Sequence, residues 1–186
     1  APRALSAHVD TLGAMVREVK SNGRLLLTQL GGYTWETLES ENVTVHALAT
    51  GATLRGTIQM VHPSVHTDRE ARDGKRSDEN MELRLDARTR TADETRALGV
   101  EVGDFVSFDP RVEITDTGFI KSRFLDDKAC VAAIYGALWA LKQAGAQPVQ
   151  RTSFFFSHYE EVGHGAAAGI PKDVVELLVL DMGAAT

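Results

Sequence analysis

The sequence predicts a mixed α/β protein in which an α/β sheet domain is interrupted by an inserted β-rich domain. Three observations carry this expectation. Between residues 19 and 112, strand-like runs rich in β-branched residues are separated by Asn22-Gly23, Gly31-Gly32, Gly51 and Gly74. From residue 126 onward the chain alternates helix and largely apolar strand, the pattern of a parallel sheet. Two short strand-like runs at the N-terminus stand apart from that second region. The expected division is therefore 1–18 and 113–186 for the two parts of the α/β domain, with 19–112 as the insertion.

Taken in order, residues 4–9 and 12–19 read as strands with Asp10 between them. Residues 24–30, 43–48, 53–61, 81–85 and 104–108 follow as strands by alternation and β-branched content. Gly56 falls inside one of these patterns and is expected to mark a bulge. Residues 92–98 read as a short helix, with Thr91 as N-cap, Glu94 completing a capping box and Asp93 at the positive end of the helix dipole. Residues 126–144 form the longest helical pattern, with Ala129, Ala132, Ala133, Tyr135, Leu138, Trp139 and Leu141 on one apolar face. Buried strands are expected at 152–157 and 174–180. Between them a Gly-rich turn leads to a small-residue helix at 163–169, ended by Pro171.

The formal net charge of −6 argues against a general nucleic-acid binder. Arg69, Arg72, Lys75 and Arg76 do cluster, but Asp68, Glu70, Asp73 and Asp78 are interleaved, which reads as a solvated loop. No apolar run approaches the ~18 residues of a membrane span. A single cysteine, Cys130, excludes an internal disulfide framework and favours a reducing, cytoplasmic setting. Ala1-Pro2-Arg3 lacks both a signal-peptide pattern and an initiator Met, so a trimmed chain or one beginning inside a longer protein is expected.

Four stretches place metal-type ligands beside strand or helix ends: Ala7-His8-Val9-Asp10, Leu125-Asp126-Asp127-Lys128, Tyr159-Glu160-Glu161-Val162-Gly163 and Leu180-Asp181-Met182. Each has an ordinary reading. Asp126 or Asp127 can cap the helix that follows, Glu160-Glu161 can be a charged turn, and His8 and Asp181 can be packed strand-end residues. Together they point elsewhere, because open α/β sheets gather ligands outside the carboxyl ends of their strands. Several carboxylates brought together would repel without a cation, and one His with several carboxylates suits zinc, cobalt or manganese. Asp10 lies near enough to fix His8 through its other ring nitrogen.

In this order, with an insertion between the first and second, the four stretches resemble the tetrahedral or glutamyl aminopeptidase family, whose members have also been described as cellulases. Leu83-Arg84-Leu85-Asp86-Ala87, Asp93 to Gly99, Val102-Gly103-Asp104 and Ile120 to Leu125 are similar to family sequence. The resemblance implies a dinuclear metalloaminopeptidase acting on short peptides through a water activated by two divalent cations, zinc or cobalt, with manganese as an alternative. It implies that Asp126 bridges the metals, that His8 and Asp181 complete one and Glu161 binds the other. Glu160 would be the general base and Asp10 would orient His8. A further His ligand of the family lies far downstream of the Asp181 position, outside these 186 residues. A homo-oligomer, a dodecamer in many relatives, is also implied, with the insertion contributing contacts.

A dinuclear deacylase or carboxypeptidase-like hydrolase fits the same ligand layout, and a non-catalytic assembly module remains an alternative. A glucan hydrolase needs two carboxylic acids flanking a sugar cleft, which nothing in the sequence singles out. His62 and His66 flank Pro63 and read as loop residues; His46 reads as the polar face of a strand. His158 and His164 stand beside the Glu pair, either lining the site or simply packed or exposed. Cys130 reads as a small buried residue with no base beside it.

Overall fold

The computed structural model describes residues 1–166 and 168–183. The chain separates into two compact units, one made of Ala1–Thr11 with Pro110–Thr186 and the other of Leu12–Asp109.

Strand β1 (Arg3–His8) belongs to the first unit. The second unit follows as β2 (Gly13–Val19), β3 (Leu25–Leu30), β4 (Asn42–Ala47), β5 (Ala52–Met60), helix α1 (Glu70–Asp73), β6 (Met81–Leu85), helix α2 (Ala92–Ala97) and β7 (Phe105–Phe108). Its six strands close into a barrel in the order β2-β3-β6-β5-β4-β7. Closure turns one face of each strand to the interior, which accounts for the alternation read from the sequence, and leaves no open edge to protect. Inward residues Val16, Leu25, Leu27, Val43, Val45, Ile58, Leu83 and Val106 are buried, each contributing roughly 1.5–3 kcal/mol relative to exposure. Leu38, from a 3-10 turn at Trp35–Leu38 that the sequence pattern did not signal, is also fully buried.

Two expectations are corrected here. The compact unit starts at Leu12, not residue 19, because β2 pairs with β3 and β7 and so belongs to the barrel. The bulge is not at Gly56, whose pairing is regular, but between Val16 and Glu18. Gly56 answers a different need: a Cβ there would lie 2.7 Å from the Arg84 carbonyl oxygen. α2 carries the expected cap, Thr91 Oγ1 accepting from the Glu94 N–H at 3.2 Å. The Glu94 carboxylate accepts from Arg90 N rather than from Thr91 N. The charged stretch expected as a loop contains the single turn α1.

A fully buried carboxylate, Glu82, is offset by Lys20 Nζ at 2.7 Å and by an ion pair with Arg24. Asp104 is nearly as buried and accepts from Leu48 N at 2.9 Å and Glu101 N at 2.8 Å, fixing two turns of the barrel.

The first unit resumes with β8 (Glu113–Ile114) and β9 (Ile120–Lys121), a small hairpin, then α3 (Leu125–Gln143), β10 (Thr152–Ser157) and β11 (Glu176–Val179). β1 lies between β10 and β11 and pairs parallel with both. α3 packs against β1. The strands expected to be buried are less so: β10 is mostly half-buried and every residue of β11 is exposed. On α3 the expected apolar face is also largely open, with Tyr135 58% and Trp139 66% exposed; Tyr135 stacks on Phe156 at 5.2 Å. With three strands and this one packed helix, the described residues supply too few neighbours to cover these apolar faces. No helix forms among the described residues of 163–169; residue 167 lies outside them, and the helical turn falls earlier, at Glu160–Val162.

Candidate metal centre

Within the first unit, the ends of β1, β10 and β11 and the start of α3 carry the acidic stretches. β1 ends at His8, which is 2% exposed. The first residues of α3 do not follow helical geometry: Asp126 and Asp127 have non-helical backbone angles, and no side chain caps the helix. Their carboxylates turn instead to His8. Asp126 Oδ1 lies 3.0 Å from His8 Nε2, and Asp127 Oδ2 accepts the His8 backbone N–H at 3.1 Å. The capping reading is therefore not the one the structure adopts.

After β10, a tight turn brings in Glu160. Tyr159 adopts a left-handed backbone (φ 66°), and Gly165 lies so close that a Cβ would stand 2.8 Å from Glu160 Cβ. Glu160 Oε2 is 3.6 Å from His8 Nε2. Asp181, just beyond β11, has Oδ1 3.9 Å from the same nitrogen. One ligand atom from each of His8, Asp126 and Asp181 lies within 4.8 Å of the others.

Asp10 faces the other ring nitrogen. His8 Nδ1 is 3.2 Å from the Asp10 carbonyl oxygen and 3.4 Å from Asp10 Oδ1. With Nδ1–H donating to Asp10, the neutral ring would present its Nε2 lone pair on the side of Asp126, Glu160 and Asp181, whereas the protonated ring donates Nε2–H to Asp126. Asp10 Oδ2 also accepts the Glu161 backbone N–H at 3.1 Å, joining the two acidic stretches. The Glu161 side chain stands outside the tight three-residue set, while remaining close enough to feel its charges.

Electrostatics records the crowding. Burial raises the Glu161 pKa, and the charges of Asp126, Glu160 and Asp10 raise it further against the opposing effect of His8. Burial would lower the His8 pKa, yet the Asp126 hydrogen bond and the Asp10 and Glu160 charges carry it above the ordinary value. Asp10 Oδ1 and Asp127 Oδ1 are buried without a hydrogen-bond partner. An imidazole nitrogen facing several carboxylates, with buried carboxylate oxygens left over, fits a divalent cation by donor chemistry.

A cavity of about 270 Å³ adjoins this cluster, lined in part by Ser6, His8, Ser157, Glu160, Leu180 and Asp181. A larger one, about 690 Å³, lies on the barrel; its lining includes Arg24, Arg84, Arg88 and Arg90 and no carboxylate, so it is no cation site. His158 and His164 are exposed, as are His62 and His66, while His46 bonds Ser107 Oγ at 2.7 Å on the barrel surface. Cys130 is half-buried, not fully buried. Sequence reasoning offered Asp127 only as a possible helix cap within the Asp126-Asp127 stretch, and its bond to the His8 backbone was not foreseen.

The chain is 47% identical over 182 residues to "Putative aminopeptidase YhfE" of Bacillus subtilis, covering 98% of this chain and 52% of that protein. Among solved structures, aminopeptidase APDkam598 of Desulfurococcus kamchatkensis superposes with a TM-score of 0.80 at 25% identity, covering 98% of this chain and 48% of that one. The TET1 peptidase of Pyrococcus horikoshii, described as assembling into a tetrahedron or a large octahedral shell, shares the fold with a TM-score of 0.68 at 23% identity, over 87% of this chain and 46% of that one. The chain thus spans about half the length of these relatives. The sequence profile of the M42 glutamyl aminopeptidases matches residues 1–186 throughout, and the chain belongs to that peptidase family.

Proposed function

We propose that this chain carries a major part of the active centre of a metal-dependent aminopeptidase that removes N-terminal residues from short peptides. The observation that carries the reading is the approach of His8, Asp126 and Asp181 ligand atoms to within 4.8 Å of one another. In this reading His8 and Asp181 would hold one divalent cation, Glu161 would hold a second, and Asp126 would serve both. Zinc or cobalt suits the donor set best, with manganese as an alternative. Bound there, such a pair would acidify a water and stabilise developing oxyanion charge.

The remaining roles follow from the chain's own groups. Glu160, 3.6 Å from His8 Nε2, is near enough to the ligand cluster to accept the attacking water's proton and return it to the leaving amine; such help is worth roughly 10²–10⁴-fold. Asp10 orients His8 through Nδ1 and holds the Glu161 backbone in place. The family and the names of the relatives support peptide substrates. By analogy with the assemblies described for the TET1 peptidase we extend homo-oligomerisation to this protein, the dodecamer implied by the family resemblance being the form to look for. No helix among the described residues is long and apolar enough to cross a membrane; with a single cysteine, a cytoplasmic setting is the one we propose.

Metal titration tests the reading. The purified protein, stripped with a chelator, should take up zinc or cobalt, and His8→Asn or Asp181→Asn should weaken uptake by at least about tenfold. Unchanged uptake in both variants would contradict it.

A further inference from the structure

We propose that Asp127 is a positioning residue for the metal centre: its carboxylate takes the place of a sheet neighbour for β1 at His8 and so fixes the imidazole against Asp126. The proposal rests on the reading of His8 and Asp126 as ligands. Even-numbered residues of β1 face β11, where Leu180 N donates to Ser6 O at 2.8 Å. The paired register with β11 ends at Ser6 opposite Val179. The next amide pointing that way is His8 N–H, and β11 has ended before it. A buried N–H left there without an acceptor would destabilise the strand end.

Asp127 Oδ2 accepts this N–H at 3.1 Å from a side chain that is itself fully buried. The opposite side of the strand end is held as well, by Val9 N donating to Ser157 O at 3.0 Å. Lys128 Nζ donates to Val9 O at 2.8 Å. The segment carrying His8 is thus tied to β10 through Val9 N and to two consecutive residues of α3, Asp127 at His8 N and Lys128 at Val9 O. Because Asp126 immediately precedes Asp127, the same turn of chain that grips the His8 backbone also sets an oxygen 3.0 Å from the His8 ring. A backbone pin next to a ligand pair controls their separation, and losing such support around a metal ligand typically costs 10–100-fold in affinity.

The alternative for Asp127 is a purely structural one, a buried carboxylate stabilising the unit without bearing on His8. Two readouts on the purified protein separate these, using Asp127→Ala and Asp127→Asn. Asn keeps a carbonyl oxygen that can accept the His8 N–H; Ala does not. The proposal expects the His8 amide to be protected from hydrogen exchange in wild type and Asp127→Asn and to exchange faster in Asp127→Ala. It expects zinc affinity, measured by competition with a chromophoric chelator, to fall about 10–100-fold in Asp127→Ala and to be largely restored in Asp127→Asn. Wild-type affinity in Asp127→Ala would overturn it. If Asp127→Ala does not fold, Asp127→Asn decides: near-wild-type affinity supports the pin, and a loss beyond tenfold overturns it. Should wild type itself bind no zinc, the functional reading fails separately, and the His8 exchange rates alone judge the pin.

Discussion

His8 Nε2 and Asp126 Oδ1 stand 3.0 Å apart although 118 positions separate them in the chain. The whole barrel, Leu12–Asp109, lies in that interval. The pair joins the end of β1 to the start of α3, and Glu160 and Asp181 approach the same nitrogen at 3.6 and 3.9 Å.

Glu160→Gln should lower the turnover of a short peptide by roughly 10²–10⁴-fold while zinc content stays at the wild-type level. Steady-state kinetics beside metal analysis of the same preparation checks both halves. A variant that loses its metal together with its activity would make Glu160 a ligand instead of a proton carrier.

Glu161→Gln should remove one of two bound cations and spare the other, because Glu161 stands outside the His8–Asp126–Asp181 set. Stoichiometry from a zinc titration gives the answer. Loss of both ions, or of neither, contradicts the division of ligands.

In metal-free protein, His8 should stabilise the fold more at low pH than at high pH. Its folded pKa is raised, the raising partners being the Asp126 hydrogen bond and the Asp10 and Glu160 charges, which outweigh burial. Protonation therefore favours the folded state. This contribution is fully present below the ordinary value of 6.5 and is lost as pH rises through the folded value. Glu161, raised mainly by burial, acts in the same sense from its ordinary 4.5 upward. Thermal melts of chelated wild type and His8→Gln should differ most, in favour of wild type, below 6.5 and converge well above it. A gap that widens with pH would refute the sign.

Gly56→Ala should destabilise the barrel by about 1–3 kcal/mol, since the new methyl would meet the Arg84 carbonyl oxygen at 2.7 Å and Leu83 Cδ2 at 2.8 Å. Urea unfolding measures this directly. An unchanged midpoint would mean that β5 and β6 separate at little cost.

Much of the fold was legible because its signals are local. The capped helix α2 follows from Thr91 and Glu94, and the barrel strands follow from alternation around the turn glycines. Where β2 belongs was not legible, since a strand of seven residues carries no mark of its partners. Gly56 misled for a related reason: a glycine in a strand signals either a bulge or a close approach, and only its neighbour across the sheet decides. The small-residue run at 163–169 resembled a helix, but Gly165 is needed instead to let the chain lie against Glu160. At the site, His8, Asp10, Asp126, Glu160, Glu161 and Asp181 could be picked out as ligand-type residues beside predicted element ends. Asp127 could not, because its task is set by the point at which β11 ends beside β1.

The most direct measurement is hydrolysis of one short peptide, with its N-terminus free or acetylated, by the natural gene product with and without a chelator. The account predicts stepwise N-terminal release from the free peptide alone, abolished by chelation and restored by zinc or cobalt. Equal cleavage of the acetylated peptide, or cleavage of neither under any metal supplied, would contradict it.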